Sequence, residues 1–452
     1  MKKTVSLGIA LSLVFSMFGS TSFASAETSS ASDYANYEPG VTVEKDSASP
    51  TGYYATFVYE DETETAAKVE LYSDTFLHFD VEEGFESPYI PEDYRTGMVP
   101  AGGNAATTYY QTLENIGDNL WAGKVPLSSG AYPYNFRITN PDGSTTARLD
   151  DPNNPTLTNT ATGISSLSSM VYIPYSADKM GTGEWLDRSV ELPRTDGKTG
   201  TVETVAYTGA AGDTRGLAVY LPHGYDPDRK KPYKVLYMSH GMSGDLYGNE
   251  LRWMNEGAVA NITDNLVADG KTEPFVVVTM NNQDFNWDYS LIEEDQFEYI
   301  MPYVEANFNV SHKAKDRAYA GLSMGGMTTN RMYFNHAKEF AYFGIWSYAV
   351  TGDELSDIET YKHLKHPSVM VGVGTWDFLI DPVQNLHEAL NDEGIEHAYV
   401  ELPAAHDWQS WQLLYAKFVE NHLWKDKKDK KDKKDKKGKK DKKEKKQKGN
   451  KD

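Results

Sequence analysis

The chain has 452 residues, 24% of them charged, with a formal net charge of −22 and no cysteine. That length allows two or three domains with sizeable cores. The missing cysteines exclude disulfides, thiol nucleophiles, a lipid-modified cysteine and thiolate metal sites, and the acidic body argues against nucleic acid as the main partner.

The sequence begins Met1-Lys2-Lys3, runs through an apolar stretch from Val5 to Phe18 and reaches Ala24-Ser25-Ala26. Two lysines, a short apolar core and a small-residue site predict a secretory signal peptide over 1–26, cleaved after Ala26. The stretch is short for a bilayer span of ~20 residues and is broken by serines. No membrane span is expected, and the protein is expected to be secreted, with bacterial export the best fit. Residues 27–46, rich in Ser, Thr and Ala, read as a flexible lead-in.

Over 47–174 short alternating runs are separated by Gly, Pro, Asn and Asp: 53–59, 67–72, 121–126, 132–139 and 169–173. Period-two alternation between turn residues predicts an antiparallel β-sandwich, with Trp121 and Tyr134 in its core. Residues 175–192 read as a linker. From 193 to 424 the rhythm changes to short apolar runs at 217–221, 234–239, 275–280, 318–320, 343–346, 369–373 and 398–402. Helical-period segments lie between them, including 297–308 and 411–423. Strands alternating with helices imply an α/β domain with a mostly parallel sheet covered on both faces. From Lys425 onward 17 lysines face 7 acidic residues, a balance of +10, which leaves −32 on the rest. This lysine-rich tail cannot bury a core and is expected to be disordered. It is either a solvated tail or a tether to an anionic cell wall.

Gly321-Leu322-Ser323-Met324-Gly325-Gly326 follows a strand pattern and opens a helix pattern. Small residues at 321 and 325 permit the tight turn that lifts a serine hydroxyl above a sheet edge, which makes Ser323 the candidate nucleophile. A serine hydroxyl needs a base held by a third group, and in this fold the order is Ser, Asp/Glu, His. Asp377 ends the strand run 369–373 through Gly374-Thr375-Trp376, and His406 follows the run 398–402 on the loop before the last helix. Asp381 competes with Asp377 but reads better as the N-cap of the next helix. His387, His397 and His422 fall in helix or strand patterns and read as structural. The N–H of Met324 and that of Met242, in the loop His240-Gly241-Met242, are the expected oxyanion donors. His240 precedes the nucleophile and is assigned to shaping that loop. Trp287, Tyr289, Trp376 and Trp408 are the candidate substrate-contacting aromatics, placed on loops at the active-site edge. No metal site and no cofactor is expected.

With these residues in view, the catalytic part resembles the bacterial esterase D-like family of feruloyl, acetyl-xylan and enterochelin esterases and mycolyltransferases. The matching pieces are Tyr220-Leu221-Pro222-His223-Gly224-Tyr225, His240-Gly241, Gly321-Leu322-Ser323-Met324-Gly325-Gly326, Gly374-Thr375-Trp376-Asp377 and His406-Asp407-Trp408-Gln409-Ser410-Trp411. The resemblance implies an α/β-hydrolase fold with Ser323, Asp377 and His406 as its triad. Pro403-Ala404-Ala405 departs from the glycine that relatives usually carry before the histidine. The segment around Trp121-Ala122-Gly123, Gly130-Ala131-Tyr132 and Asp151-Pro152-Asn153 is similar to the Ig-like early-set domain found ahead of such esterases. The expected substrate is acylated plant polysaccharide, with feruloyl or acetyl groups on xylan. The alternatives are an enterochelin-type siderophore esterase and a carbohydrate- or wall-binding protein with an inactive hydrolase domain.

Overall fold

In a computed structural model, residues 34, 36–84, 88–102, 108–243, 248–348 and 367–425 are described. The expected signal peptide over 1–26 and the lysine-rich tail beyond 425 lie outside the described residues.

The N-terminal part is all β. One antiparallel sheet runs in the order Gly40–Lys45, Tyr53–Glu60, Leu120–Val125, Glu114–Gly117. A second is built on Gly130–Thr139, which pairs with Thr145–Leu149, Lys68–Ser73 and Ser169–Ile173. Alternate residues of both sheets meet in one core: Phe57, Tyr59 and Trp121 from the first, Val69, Leu71, Tyr134 and Phe136 from the second. The expected burial of Trp121 and Tyr134 is met, at 8% and 1% exposure.

Two expectations about connectors are corrected. The lead-in does not extend to residue 46, because Gly40–Lys45 pairs along its length with Tyr53–Glu60 as an edge strand. Nor is 175–192 a passive linker. It holds a helical turn at Ala177–Met180 and buries Arg188 and Glu191 at 1% and 0% exposure.

The remainder is one eight-stranded sheet, here labelled β1 (Thr201–Thr208), β2 (Thr214–Leu221), β3 (Lys234–Ser239), β4 (Phe275–Met280), β5 (Arg317–Leu322), β6 (Tyr342–Trp346), β7 (Ser368–Gly374) and β8 (His397–Leu402). Their order is β1-β2-β4-β3-β5-β6-β7-β8, antiparallel at the first two pairings and parallel elsewhere. Strands buried on both faces need apolar residues at consecutive positions. Accordingly Leu236, Met238, Val277, Ala318 and Ala320 enter one core, while Val235, Tyr237, Val276, Val278 and Tyr319 enter the other. Each fully buried aliphatic or aromatic side chain contributes ~1.5–3 kcal/mol, which is how a chain without disulfides holds together.

Helices α1 (Val259–Ala268) and α4 (Trp408–Asn421) cover the first face; α2 (Met324–His336) and α3 (Ile380–Asp392) cover the second. Ala131 and Met170 of the N-terminal sheets belong to the first of these cores, so the β part packs directly on that face. No described helix is long and apolar enough to cross a membrane.

Candidate active site

The carboxyl ends of β5, β7 and β8 and the loop after β3 converge at one edge of the sheet, where ligands bind in parallel α/β architectures. At the end of β5 the chain turns into α2 through Ser323, whose backbone has φ 51° and ψ −119°. A left-handed φ on a non-glycine residue costs ~1–3 kcal/mol and persists only where its surroundings enforce it. Here the Ser323 N–H donates to the Trp346 carbonyl at 3.0 Å, and the Ser323 carbonyl accepts from Met327 at 3.0 Å. The neighbouring glycines are dictated by close approach. A Cβ on residue 321 would lie 2.4 Å from the Gly325 carbonyl oxygen, and one on residue 325 would lie 2.4 Å from those of Ser239 and His240.

The structure brings Ser323, His406 and Asp377 into one hydrogen-bonded chain. Ser323 Oγ is 3.0 Å from His406 Nε2, and His406 Nδ1 is 2.9 Å from both Asp377 oxygens. The carboxylate fixes the tautomer: it can only accept, so Nδ1 carries the proton and Nε2 presents a lone pair to the hydroxyl. Asp377 is itself held by the Leu379 N–H at 2.8 Å and is 2% exposed. Asp381 is exposed in the first turn of α3 and is not that helix's N-cap, which is Leu379.

His240 is excluded as a base by its surroundings. Its Nε2 accepts the Asn282 N–H at 3.0 Å, so its proton sits on Nδ1 and is donated to the Gly241 carbonyl at 2.5 Å. Burial pushes its pKa down to about 3, which leaves it neutral at ordinary pH. It shapes the loop that carries Gly241 and Met242. A Cβ on residue 241 would lie 3.2 Å from Ser323 Cβ, so this loop runs directly beside the serine. Further on, the Ser243 N–H donates to Gln283 Oε1 at 3.1 Å, and so does Trp287 Nε1 at 3.1 Å. Met324 opens α2, where first-turn N–H groups have no partner within the helix.

The four candidate aromatics separate. Trp408 is not on a loop: Asp407 caps α4 by accepting the Ser410 N–H at 2.9 Å, and Trp408 becomes the first helical residue. Its ring is 6% exposed and packs 5.4 Å from Trp253. Trp287 is 9% exposed and lies 5.5 Å from the His240 ring, as packing behind the loop that carries Met242. Tyr289 is half-buried, with Arg331 5.1 Å above its ring. Trp376 is half-buried against the N-terminal core, 5.5 Å from Phe79.

One aromatic was missed. Phe378, directly after Asp377, is 60% exposed with its ring 4.4 Å from that of His406. Met242 is 57% exposed. The sequence signal for Phe378 was its position next to the acid, in a short exposed connection.

Residues 208–424 match a family model described as "Putative esterase". The chain is 27% identical over 271 residues to an endo-1,4-beta-xylanase/feruloyl esterase of Xylanibacter ruminicola, a match covering 55% of this chain and 36% of that protein. It is 31% identical over 154 residues to endo-1,4-beta-xylanase Y of Acetivibrio thermocellus, covering 32% of this chain and 14% of that one. The matches therefore span about a third or less of these curated relatives' length. Among solved structures, the enterobactin esterase FES of Shigella flexneri is similar with a TM-score of 0.51 at 12% identity, over 86% of this chain and 98% of that one. At that identity the likeness is one of fold, and it takes in the β part as well as the α/β part. The expected resemblance to esterases and the α/β-hydrolase fold are borne out over 208–424; for the N-terminal part the finding is an all-β region.

Proposed function

We propose that this protein, whose residues 208–424 match the esterase family model, is a secreted serine carboxylic-ester hydrolase that removes feruloyl or acetyl groups from plant cell-wall xylan by an acyl-enzyme route. The observation that carries the catalytic reading is the chain from Ser323 Oγ through His406 to Asp377, with contacts of 3.0 and 2.9 Å, at a strained strand-to-helix turn. The relatives named for xylanase and feruloyl esterase activity support the choice of substrate.

Ser323 Oγ attacks the ester carbonyl carbon while its proton passes to His406 Nε2. Asp377 holds the imidazole by Nδ1–H and stabilises the imidazolium that forms. The carbonyl oxygen becomes an oxyanion that accepts N–H groups of Met242 and Met324; one such donor contributes ~2.7–4 kcal/mol to the barrier reduction. Collapse breaks the ester C–O bond, and the leaving alcohol takes the His406 proton. Water then gives its proton to His406 Nε2 and attacks the acyl-Ser323 carbonyl, and the acid leaves as Ser323 is reprotonated. No step requires a metal or cofactor. Phe378, exposed and 4.4 Å from the His406 ring, is the apolar side chain that receives the acyl group in this reading.

A siderophore-ester reading has one observation in its favour, the fold likeness to an enterobactin esterase along both parts of the chain. A substrate panel separates the two. Protein lacking residues 1–26 is assayed on methyl ferulate, 4-nitrophenyl acetate, acetylated xylan and a ferric catecholate siderophore ester, beside Ser323→Ala. Hydrolysis of the first three, abolished in the variant, supports the xylan-esterase reading. Activity confined to the siderophore favours the second, and no difference between wild type and variant overturns both. Secretion is tested by the N-terminus of protein recovered from the medium, expected at Glu27. The lysine tail is proposed to bind anionic wall polymer, so deleting 425–452 should abolish salt-sensitive wall binding; unchanged binding rejects it.

A further inference from the structure

The loops that carry Asp377 and His406 are gripped from outside the hydrolase sheet. Ala405, fully buried, belongs to the core of the N-terminal β-sheets, and Trp376 packs on that same core. On the other side of His406, Asp407 is 6% exposed and bridges the two parts of the protein. Its Oδ1 accepts the Ser410 N–H at 2.9 Å, and its Oδ2 accepts the Gly102 N–H at 2.5 Å across 305 residues of sequence. Further along α4, Gln409 and Gln412 donate to the Ala131 carbonyl at 2.9 and 3.2 Å. Both neighbours of His406 and the residue before Asp377 are therefore fixed by the β part.

Helix capping alone does not explain an aspartate here. Serine and asparagine cap equally well, and a buried carboxylate pays a desolvation cost that they avoid. Burial pushes this one up to about 6. What only a carboxylate supplies is a second accepting oxygen, and that oxygen is spent on Gly102. The glycine is matched to it: a Cβ on residue 102 would lie 2.8 Å from Asp407 Cβ and 2.7 Å from the Asp74 carbonyl oxygen.

We propose that Asp407 is a positioning residue for His406, and that its bond to Gly102 makes the N-terminal β-sheets a working part of the catalytic apparatus. This rests on the reading of His406 as the base. The bond sets where the imidazole stands relative to Ser323, a geometry in which a displacement near 1 Å costs on the order of 100-fold in rate.

The test uses the protein with both parts present. Asp407→Ser keeps a helix cap but is too short to reach Gly102. Gly102→Ala forces the same contact apart from the β side, without altering any triad residue or Asp407 itself. Asn255→Ala is the control: it removes an interdomain bond, to the Ser168 carbonyl at 2.7 Å, away from the His406 loop. For each, kcat and KM on 4-nitrophenyl acetate, the rate of Ser323 modification by a fluorophosphonate, and the thermal midpoint are measured. The proposal expects Asp407→Ser and Gly102→Ala each to lower kcat and modification rate by roughly 10- to 100-fold with KM within about 2-fold. The double variant should lose little more than the worse single one, and Asn255→Ala should shift only the midpoint. If the staple variants, folded, keep kcat and modification rate within about 2-fold of wild type, the positioning role is overturned while the esterase reading stands. If Asp407→Ser does not fold, Gly102→Ala decides on its own. Wild type that behaves like Ser323→Ala in both assays overturns the reading of Ser323, and the proposal with it.

Discussion

The Phe378 ring stands 4.4 Å from the His406 imidazole, tilted by 45°, and still exposes 60% of its surface. The ring packs against the imidazole and leaves the rest of its surface open, which on the proposed reading receives a flat acyl group. An aromatic contact of this kind contributes ~0.5–1.5 kcal/mol beyond area burial. Phe378→Ala is therefore expected to raise KM for methyl ferulate by roughly 2- to 12-fold, with a smaller change for 4-nitrophenyl acetate. Steady-state kinetics on the two esters checks this; equal effects on both would place the acyl group elsewhere.

Asp377→Asn keeps the shape of the acid but can present its amide N–H to the imidazole, which favours the wrong tautomer. With Ser323 and His406 unchanged, kcat should fall on the order of 10⁴-fold while the fold remains intact. Kinetics alongside circular dichroism would expose a smaller loss.

Gly325→Ala asks a methyl group to lie 2.4 Å from two backbone carbonyl oxygens that cannot move aside. The elbow must open, so both stability and kcat should drop sharply, whereas Gly394→Ala, where no atom lies within 4 Å of the added carbon, should cost only the strain of its φ of 65°. Overpacking typically costs ~1–3 kcal/mol, which urea denaturation resolves.

Arg188 and Glu191 form a buried ion pair at 2.6 Å. Arg188 also donates to the Gln409 carbonyl at 2.9 Å and Gln412 Oε1 at 3.0 Å, while Glu191 Oε2 accepts the Ala131 N–H at 3.0 Å. Removing one partner leaves a charge buried and unpaired, so Glu191→Ala should destabilise by ~3–5 kcal/mol. A denaturant midpoint unchanged from wild type would contradict this.

Stability should also fall in acid. Burial pushes His78 and His240 each down to about 3 from 6.5. Between those values the unfolded chain binds protons that the folded protein refuses, so their contribution is complete above pH 6.5 and is lost as pH falls toward 3. Asp407, raised by burial to about 6 from 3.8, acts oppositely: its contribution is complete below 3.8 and lost as pH rises through 6. Each histidine adds a slope of ~1.4 kcal/mol per pH unit. His78→Gln should flatten the dependence of unfolding free energy on pH by that amount between pH 4 and 6, measured by urea denaturation across the range.

The parts of this architecture that were legible in sequence are those whose burial is two-sided. β3 and β4 are unbroken apolar runs because both faces are covered, and their limits, Lys234–Ser239 and Phe275–Met280, follow from composition. β1 was not legible: Thr201–Thr208 is an edge strand, mostly half-exposed, and its apolar residues are interrupted by Thr and Glu. Gly40–Lys45 sits at the end of a stretch whose Ser, Thr and Ala content reads as lead-in, and its pairing with Tyr53–Glu60 is not visible in that composition. Ser323, Asp377 and His406 could be placed because each follows a readable strand. Trp408 was placed on a loop because the capping bond of Asp407, which turns it inward, is a tertiary fact as much as a local one. The grip of the β-sheets on the His406 loop joins residues 305 positions apart and leaves no local pattern.

The proposed route passes through an acyl-enzyme on Ser323, whose Oγ lies 3.0 Å from the Nε2 of His406. Rapid mixing with 4-nitrophenyl acetate, followed by acid quench and peptide mass mapping, tests it most directly. The expected result is a burst of nitrophenol equal to the enzyme present and an acetyl group on the peptide containing Ser323, both absent in Ser323→Ala. An acetyl group on another residue, or undiminished turnover in that variant, would contradict it.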